Sequence, residues 1–531
     1  MPATIPTYSI LGPLTPGPAP PESEQKPFLF QGSRGEPEPL GFRSDRRITQ
    51  WVYGEVTSSP FPENMLSSFF SLLKRSSLVV HSLIVLGSFW TVTVVAMGIN
   101  PQSFWKFIKV PTEVPLTTSS LSYYWDIQAY AQLALEPECS AFYPLWPTLI
   151  RLGLHPTTIV EAAQDFLQVA TLLSILSVPF VLALFRQAFQ SERLALGIAL
   201  LYSLSPLAIF RVIGYTESLF SFLGILLLLL IQQVPSPRLA PWIVLGVGVL
   251  SAFLALLRPT LPQMIGSSIG ALVTLIGLAW ATHHGVTQDL PAHDRQTDNL
   301  SFQQVFQQRH PLVIPTTIAL ILGTIVGYSF YGSFCWSTTN DFFAPFSQQS
   351  FWNKSLGFRP WLLFTSRSPL LDLWSLYLPP LLWVSALGQV GQALGYLKLP
   401  FLRGGLGGWI LAFYPPLWIL LQTWGRSMKQ LFFWETPHPS TPLPPWGTDY
   451  SFWFALYFSI SHGVICFLTQ DRLVSLGRYI FAQPFVFVAL GCLYPHLDHR
   501  HQRFLWPMLL GLSSLYLLDQ WIRYGYHQWL G

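Results

Sequence analysis

Apolar stretches close to the length that crosses a bilayer recur along most of this chain, and this repetition limits what it can fold into. A transmembrane helix needs about 20 consecutive, mostly apolar residues. Only 10% of the residues are charged, against about 25% in soluble domains. We therefore predict an integral, multi-pass membrane protein built from helices. The predicted spans are 78–98, 166–185, 194–212, 216–232, 240–257, 261–281, 312–332, 369–396, 405–424, 451–470, 478–494 and 504–520.

This pattern predicts an all-α polytopic bundle of about 11–13 transmembrane helices. The stretch 369–396 contains Pro379 and Pro380, so a re-entrant pair is an alternative to one span. Residues 1–75 are rich in Pro, Gly and Ser and indicate a disordered tail ahead of a membrane domain at 76–531.

Basic residues predict the orientation, because Lys and Arg flank the cytoplasmic ends of spans. Lys74 and Arg75 directly precede the first span, which makes the tail cytoplasmic and residues 99–165 the first non-cytoplasmic loop. Alternation of sides is consistent through the first seven spans. Further on, simple counting places the basic segment 496–503 outside, although its composition is typical of the inside. One element after residue 333 is therefore miscounted.

The four cysteines are scattered. Cys139 and Cys335 are predicted to face the same side of the membrane, so a disulfide is possible, but we favour two unpaired cysteines. Neither a CxxC motif nor a Cys/His ligand spacing occurs, so a metal site of that kind is not expected. We also predict no cofactor.

Asp126 is an isolated carboxylate in an apolar, aromatic stretch just after the first span. The spacing of apolar residues over 121–135 predicts a helix along the membrane surface, with Asp126 and Tyr130 on one face. A partly desolvated carboxylate there could act as a general base. Asp is also a common helix N-cap, and spacing alone favours the cap.

An aromatic segment, "AFYPLWP" at 141–147, follows in the same loop. Phe142, Tyr143, Pro144 and Trp146 predict either a rigid wall against a sugar or lipid head group, or an ordinary interfacial belt. The segment alone favours the belt.

The junction "RVIGYTESLF" lies on the same predicted side as Asp126 and holds Arg211, Tyr215 and Glu217. Charges cost less at the end of a span than in its middle. Glu217 could pair with Arg211, or it could belong to a functional site.

Two further arginines are candidates for binding phosphate, because a guanidinium matches phosphate oxygens. Arg258 lies in "LLRPT" at the outer end of a predicted span, and Arg478 stands beside Tyr479 in "LGRYIFAQPF". Either arginine could instead be an ordinary interfacial residue that reaches toward water.

Several function classes lack their motifs. The sequence has no GxxxxGK[ST], HExxH or DxD, which leaves P-loop ATP hydrolysis, HExxH metalloproteases and metal-dependent nucleotide-sugar transfer unsupported. A GxSxG match, "GSSIG" at 266–270, lies inside the predicted span 261–281. The net charge is only +4 and no long basic run occurs, so nucleic-acid binding is not expected.

The order of the motifs is more informative than any one of them. "YWDIQAYAQLA", "AFYPLWPTLIRLG", "SPLAIFRVIGYTESLF" and "LLRPT" together resemble the GPI mannosyltransferase 2 (PIG-V) family and its prokaryotic relatives. "NDFFAPFSQQSFW" is similar to an outer loop of that family, with Asp341, Gln349 and Trp352 in matching places. "SLGRYIFAQPFVF" is similar to its Arg-Tyr segment. The resemblance covers residues 78–531.

The resemblance implies a GT-C fold and an active site on the non-cytoplasmic face. It implies transfer of a hexose, typically mannose, from a polyprenyl-phosphate sugar to a lipid-linked acceptor, with inversion and without a metal. Asp126 would be the general base, and Arg258 or Arg478 would hold the donor phosphate. Substrate contacts would come from Trp125, Tyr130, Phe142, Tyr143, Pro144, Trp146, Tyr215, Glu217, Asp341, Gln349, Trp352 and Tyr479.

The membrane implied by the resemblance is a bacterial plasma membrane, with the site facing the periplasm, or the endoplasmic reticulum in a eukaryote. A transporter or flippase of lipid-linked sugars is the main alternative. It would share the aromatic, Pro-rich spans but would not need Asp126 on a surface helix, and it would more often carry paired acids within spans. A scaffold that works through its tail, 1–75, is a third.

Overall fold

Helices are the regular elements of the described part of the chain. The computed structural model describes residues 76–108, 126–233, 239–289, 311–352, 356–359, 361, 370–393, 443–469, 475–496, 499–526, 528 and 530. The predicted tail and the predicted span 405–424 lie outside the described residues.

The first half of the molecule contains eight helices among the residues described there. They are α1 (Ser76–Ile99), α2 (Pro101–Ile108), α3 (Asp126–Leu135), α4 (Leu145–Leu154), α5 (Ile159–Phe189), α6 (Glu192–Ser203), α7 (Glu217–Ile231) and α8 (Ala240–Leu257). A short 3₁₀ turn, Ala208–Arg211, precedes α7.

The second half continues the pattern with helices of very different lengths. They are α9 (Leu261–Asp289), α10 (Val313–Thr339), α11 (Ala344–Ser347), α12 (Leu370–Ala393), α13 (Tyr450–Thr469), α14 (Leu476–Phe481), α15 (Phe485–Leu493) and α16 (His499–Gly525). Three further 3₁₀ turns are Gln348–Trp352, Pro445–Thr448 and Tyr494–His496.

The prediction of a helical, polytopic membrane protein is confirmed. In the described residues, six helices are long and apolar enough to cross a bilayer, and α7 is a shorter apolar helix. The six stretches are Ser77–Ile99, Ile159–Phe189, Ala240–Leu257, Leu261–Thr282, Val313–Thr339 and Tyr450–Thr469. The total of 11–13 spans and the GT-C arrangement stay predictions.

Two predicted spans are broken helices. The stretch 194–212 ends as a helix at Ser203, because Pro206 has no N–H to continue the ladder and restricts the residue before it. The stretch 478–494 is divided into α14 and α15 by Pro484, which precedes the first turn of α15. By contrast, α12 continues through Pro379 and Pro380 as one helix, so the re-entrant alternative is not adopted.

Polar contacts identify one end of the helix bundle, here called the Arg186 end. Arg186 lies 3.8 Å from Glu192 and donates to Ser77 at 3.4 Å. Gln187 donates to the carbonyl of Gln232 at 2.9 Å. Helices α1 and α6 therefore begin at this end, and α5 and α7 finish there.

The opposite end is here called the Arg478 end, because α7 begins there with Glu217, 2.8 Å from Arg478. The first loop also lies at this end, where Lys106 of α2 donates to the carbonyl of Tyr524 at 2.8 Å. That carbonyl belongs to the last turn of α16, where C=O groups have no partner within the helix. Helix α16 therefore finishes at the Arg478 end.

Helices α12 and α13 are both placed at the Arg186 end by their contacts. Ser451 of α13 accepts from the Gln232 amide at 3.1 Å, so α13 begins at the Arg186 end. Val390, near the finish of α12, packs against Gly447 just before α13. Helix α12 therefore finishes, and α13 begins, at the same end. The predicted span 405–424 falls between them, outside the described residues, and stays a prediction.

The start of the basic segment 496–503 can be placed at one end of the bundle. Helix α15 finishes at the Arg186 end, where Gly491 packs against α5. The basic segment follows directly and begins at that end, together with the start of α1. The membrane side on which this segment lies stays a prediction.

The loop between α3 and α4 is joined to α10 by a disulfide. Cys139 and Cys335 are bonded, with their Cα atoms 5.1 Å apart, so our preference for two unpaired cysteines was wrong. The loop folds back over α10, where the Tyr331 hydroxyl accepts from the Ser140 N–H at 3.0 Å and reaches the Ser140 carbonyl at 2.7 Å. Sequence spacing could not reveal this approach.

We predict that unreduced protein, denatured in detergent, presents two reactive thiols, Cys466 and Cys492. Reduction should raise the number to all four cysteines. The count can be made by mass shift after labelling with maleimide. In the Cys139→Ser variant, unreduced protein should present one thiol more than the wild type, because Cys335 loses its partner. Four labelled thiols in unreduced wild type would contradict the bond.

Candidate functional site

Four charged side chains from distant parts of the sequence meet at the Arg478 end. Arg478 Nη1 lies 2.6 Å from Asp126 Oδ2, and Arg478 Nε lies 2.8 Å from Glu217 Oε1. Arg258 Nη2 pairs with the same Glu217 oxygen. Asp126, Glu217, Arg258 and Arg478 are here called the charge network, which carries no net charge when all four groups are ionised.

Helix ends hold three members of this network in position. Asp126 and Glu217 are the first residues of α3 and α7, and Arg258 directly follows the last residue of α8. Carboxylates are favoured at helix N-termini and cations at C-termini, because they complement the helix dipole. Thr216 adds a further anchor, since its Oγ1 accepts from Arg258 Nε at 2.8 Å.

The exposure of these side chains is graded. The exposed fraction of the side chain is 0% for Glu217, 8% for Arg258, 12% for Arg478 and 21% for Asp126. A buried charge is tolerated only when it is paired, and Glu217 is paired with both arginines. Asp126 is the member of the network that a molecule from outside could reach most readily.

Aromatic rings surround the guanidinium of Arg478. Its central carbon lies 5.4 Å from the ring centre of Phe210, 5.3 Å from Tyr215 and 5.2 Å from Tyr479. Its Nη2 also donates to the Tyr479 hydroxyl at 3.2 Å. Arg258 lies 5.1 Å from the Tyr479 ring, so this ring is shared by both cations.

Tyr215 connects the start of α3 to this aromatic cage. Its hydroxyl accepts from the backbone N–H of Asp126 at 3.3 Å. Burial raises the pKa of Tyr215, and the Asp126 carboxylate raises it further. The phenol therefore keeps its proton and can donate it. The N-cap alternative for Asp126 accounts for neither this bond nor the ion pair with Arg478.

Tyr130 lies one turn further along α3, as the spacing predicted. Burial and the Asp126 carboxylate raise its pKa, so it too stays protonated. Its ring packs edge-on against Phe142, with the ring centres 5.2 Å apart. This pair links α3 to the aromatic segment 141–147.

The rest of the aromatic segment is packed inside the protein and forms no open wall. Tyr143 and Trp146 are 2% and 1% exposed, and Pro144 is the N-cap residue that directly precedes α4. Trp146 Nε1 donates to the carbonyl of Gly214 at 3.0 Å. Gly214 has a positive φ of 86°, and Ile127 of α3 leaves no room there for a side chain. These contacts fix α3 against the junction before α7.

The loop after α10 supports the disulfide-linked loop. Gln349 donates to the carbonyl of Ala141 at 3.3 Å. Asp341 accepts from the N–H of Phe343 at 2.8 Å and from the Ser347 hydroxyl at 3.0 Å, so it stabilises its own turn. Three tryptophans are predicted to contact substrate. Trp146 is buried, Trp125 lies outside the described residues, and only the backbone of Trp352 is described.

Arg211 does not pair with Glu217, and that alternative was wrong. The 3₁₀ turn points Arg211 back toward the finish of α6, where it donates to the carbonyl of Tyr202 at 2.9 Å. Its guanidinium carbon lies 3.7 Å from the centre of the Tyr202 ring. The charge of Glu217 is met instead by Arg258 and Arg478, which the sequence places far away.

Asp372 is a positioning residue that sequence reasoning missed. It is fully buried in α12, and its Oδ1 accepts from the backbone N–H of Gly477 at 2.7 Å. Gly477 immediately precedes Arg478, so Asp372 fixes the turn that carries this arginine. A lone acid in a predicted span is itself a signal of function, and it could have been found in "LLDLW".

Metal binding has no visible basis in the part of the chain that the structure describes. There, no group of three or more His, Cys, Asp or Glu side chains could hold a metal ion. The two carboxylates of the network are instead bound by arginines.

Comparisons with known proteins add no assignment. No protein-family model matches the chain, no curated protein matches its sequence, and no solved structure matches its fold. The function must therefore be argued from the network itself and from the motifs.

We predict that Glu217→Gln lowers the free energy of unfolding by about 3–5 kcal/mol, because it leaves two buried guanidiniums without their shared carboxylate. Unfolding in a denaturing detergent, followed by circular dichroism, measures the loss. Glu192→Gln is a matched control, since Glu192 also begins a helix and also pairs with an arginine but has a side chain 54% exposed. The control should change stability by no more than about 1 kcal/mol. Equal losses in the two variants would contradict a buried role for Glu217.

Proposed function

We propose that this protein is a membrane glycosyltransferase. It would move a hexose, with mannose as the first candidate, from a polyprenyl-phosphate sugar to a lipid-linked acceptor on the non-cytoplasmic face. The observation that carries the proposal is the contact between Asp126 and Arg478. A carboxylate that can accept a proton lies beside a guanidinium that can bind phosphate, at one end of a membrane bundle.

The reaction needs both groups within reach of one sugar. The acceptor hydroxyl oxygen forms a bond to the anomeric carbon while the bond from that carbon to the phosphate oxygen breaks. The hydroxyl proton passes to Asp126, and the electron pair of the broken bond leaves with the polyprenyl phosphate. A single displacement of this kind inverts the anomeric configuration.

Arginine provides what the leaving group requires. Negative charge grows on the departing phosphate, and a fixed cation nearby stabilises the transition state more than the ground state. Arg478 is the more exposed of the two arginines, while Arg258 is held by Glu217 and Thr216. We therefore assign Arg478 to the donor phosphate and Arg258 to the support of Glu217.

The disulfide supports a non-cytoplasmic location for the site. Disulfides persist in oxidising compartments and are rare in the cytosol, and the bond between Cys139 and Cys335 lies in the loop that connects α3 to α4. Nucleotide sugars are scarce outside the cytoplasm, whereas a lipid-borne donor can diffuse to a site at the membrane edge. The motifs that resemble the PIG-V family support the same class of donor.

Other residues of the site would bind and orient the sugars. Tyr130 and Phe142 form an aromatic pair next to the start of α3, and Tyr215 keeps a phenolic proton that can be donated to a sugar oxygen. Trp125 and Trp352 stay predicted contacts. Glu217 would act through the two arginines instead of touching the acceptor.

A transfer assay on purified protein in nanodiscs tests the proposal. Polyprenyl-phosphate mannose is the donor, a total lipid extract supplies acceptors, and mass spectrometry follows the product. Asp126→Asn should lower the rate by about 10²–10⁴-fold, which is the usual contribution of a general base. Asp519→Asn removes a carboxylate at the same end of the bundle that pairs with Arg523 in its own helix, and it should retain activity.

The outcomes separate the candidate functions. If Asp126→Asn transfers sugar as fast as the wild type, Asp126 is not the base. If neither protein transfers mannose, and the glucose and arabinose forms of the donor also fail, the transferase proposal is wrong. The protein can then be reconstituted into vesicles made of the same lipids. Movement of lipid-linked sugar across their bilayer would favour a flippase.

A further inference from the structure

The structure has Arg478 bound to the very carboxylate that should act as the base. We propose that Arg478 exchanges Asp126 for the donor phosphate, so that binding of the donor frees the base. This inference rests on the proposed function and adds an order to it: the donor binds first, and the acceptor is deprotonated second. The expected ligand chemistry is a lipid phosphate.

All three nitrogens of the Arg478 guanidinium have partners. Nη1 binds Asp126, Nε binds Glu217, and Nη2 donates to the Tyr479 hydroxyl. An arginine binds a phosphate most strongly through two parallel N–H···O hydrogen bonds, in a bidentate fork. Nη1 and Nη2 each keep one further N–H, because a guanidinium has five. The Nε side faces the buried Glu217, so a fork would use Nη1 and Nη2, and a phosphate bound there competes with Asp126 for Nη1.

Asp126 is the partner that can leave. Its side chain is the most exposed of the network, whereas Glu217 is fully buried and is also held by Arg258. Releasing Glu217 would leave a buried carboxylate with less compensation, which is costly. Releasing Asp126 only turns a partly exposed carboxylate toward the space where the acceptor must arrive.

Arg478 itself is fixed while its partner changes. Asp372 holds the preceding residue, Gly477, through its backbone N–H, and Glu217 holds Nε. The cation therefore needs no large movement to receive a phosphate. Preorganised cations of this kind stabilise developing charge without a reorganisation cost.

The charges of the network favour the same sequence of events. Two arginines and two carboxylates balance in the resting site. A phosphodiester donor adds one negative charge, and the phosphate monoester that departs carries more. When Asp126 accepts the proton of the acceptor hydroxyl, one negative charge is neutralised at the moment that the phosphate gains one.

A binding experiment tests the exchange without relying on catalysis. The probe is farnesyl phosphate, titrated into the full-length protein in nanodiscs by calorimetry, with farnesol as the ligand that lacks phosphate. Asp126→Asn removes the competing carboxylate and should bind farnesyl phosphate about tenfold more tightly than the wild type. Farnesol should bind equally to both. Inorganic phosphate, titrated separately, distinguishes recognition of the phosphate alone from recognition of a lipid phosphate.

The control separates exchange from a simple change in net charge. Asp519 lies near the finish of α16 at the Arg478 end and pairs only locally with Arg523, at 2.7 Å. Asp519→Asn removes one negative charge and should leave the affinity for farnesyl phosphate unchanged. Equal tightening in Asp519→Asn and Asp126→Asn would overturn the exchange.

The remaining results are also decisive. If Asp126→Asn binds farnesyl phosphate as tightly as the wild type, or more weakly, the exchange is wrong but the transferase proposal stands. Absence of farnesyl phosphate binding in every variant overturns the phosphate site, and the proposed function falls with it. Tight binding of inorganic phosphate alone, with no gain from the farnesyl chain, contradicts a lipid phosphate as the ligand.

Discussion

A fully buried carboxylate shared by two arginines is the interaction on which this site depends. Glu217 draws Arg258 from the finish of α8 and Arg478 from α14 to the first turn of α7. Three segments far apart in the sequence are thereby held at one point. The cost of burying these charges is large unless they meet, so the packing of these three helix ends depends on the network staying paired. Asp126 is attached to this arrangement through Arg478.

The first loop is tied to the bundle independently of that network. The disulfide and the Tyr331 hydroxyl bind the segment around Cys139 and Ser140 to α10. Trp146 anchors the following helix to the carbonyl of Gly214. Helix α3 is thus fixed at its first turn by Tyr215 and beyond its last turn by the loop. An acid that must meet a substrate at a defined angle needs this kind of support.

Sequence reasoning succeeded where a physical rule acts locally. Hydropathy and length found the long helices, because a bilayer demands both. Sequence reasoning failed where segments that are distant in the sequence meet. The partner of Glu217, the pairing of Cys139 with Cys335 and the support of Arg478 by Asp372 all join residues more than 40 positions apart, and no local pattern encodes such contacts. The burial of Tyr143 and Trp146 was missed for a related reason, since an aromatic segment at an interface can face either way.

The two acids of the network illustrate how one set of residues can serve both stability and chemistry. Glu217 is fully buried and paired twice, so it can anchor but cannot meet a substrate. Asp126 is partly exposed and paired once, so it can change partners at a smaller cost. A buried pair resists change because each charge depends on the other, whereas a partly exposed pair is weakened by water and by competing ions. Burial therefore divides the roles, and the gradient of exposure across the network runs from the anchor to the group that we expect to react.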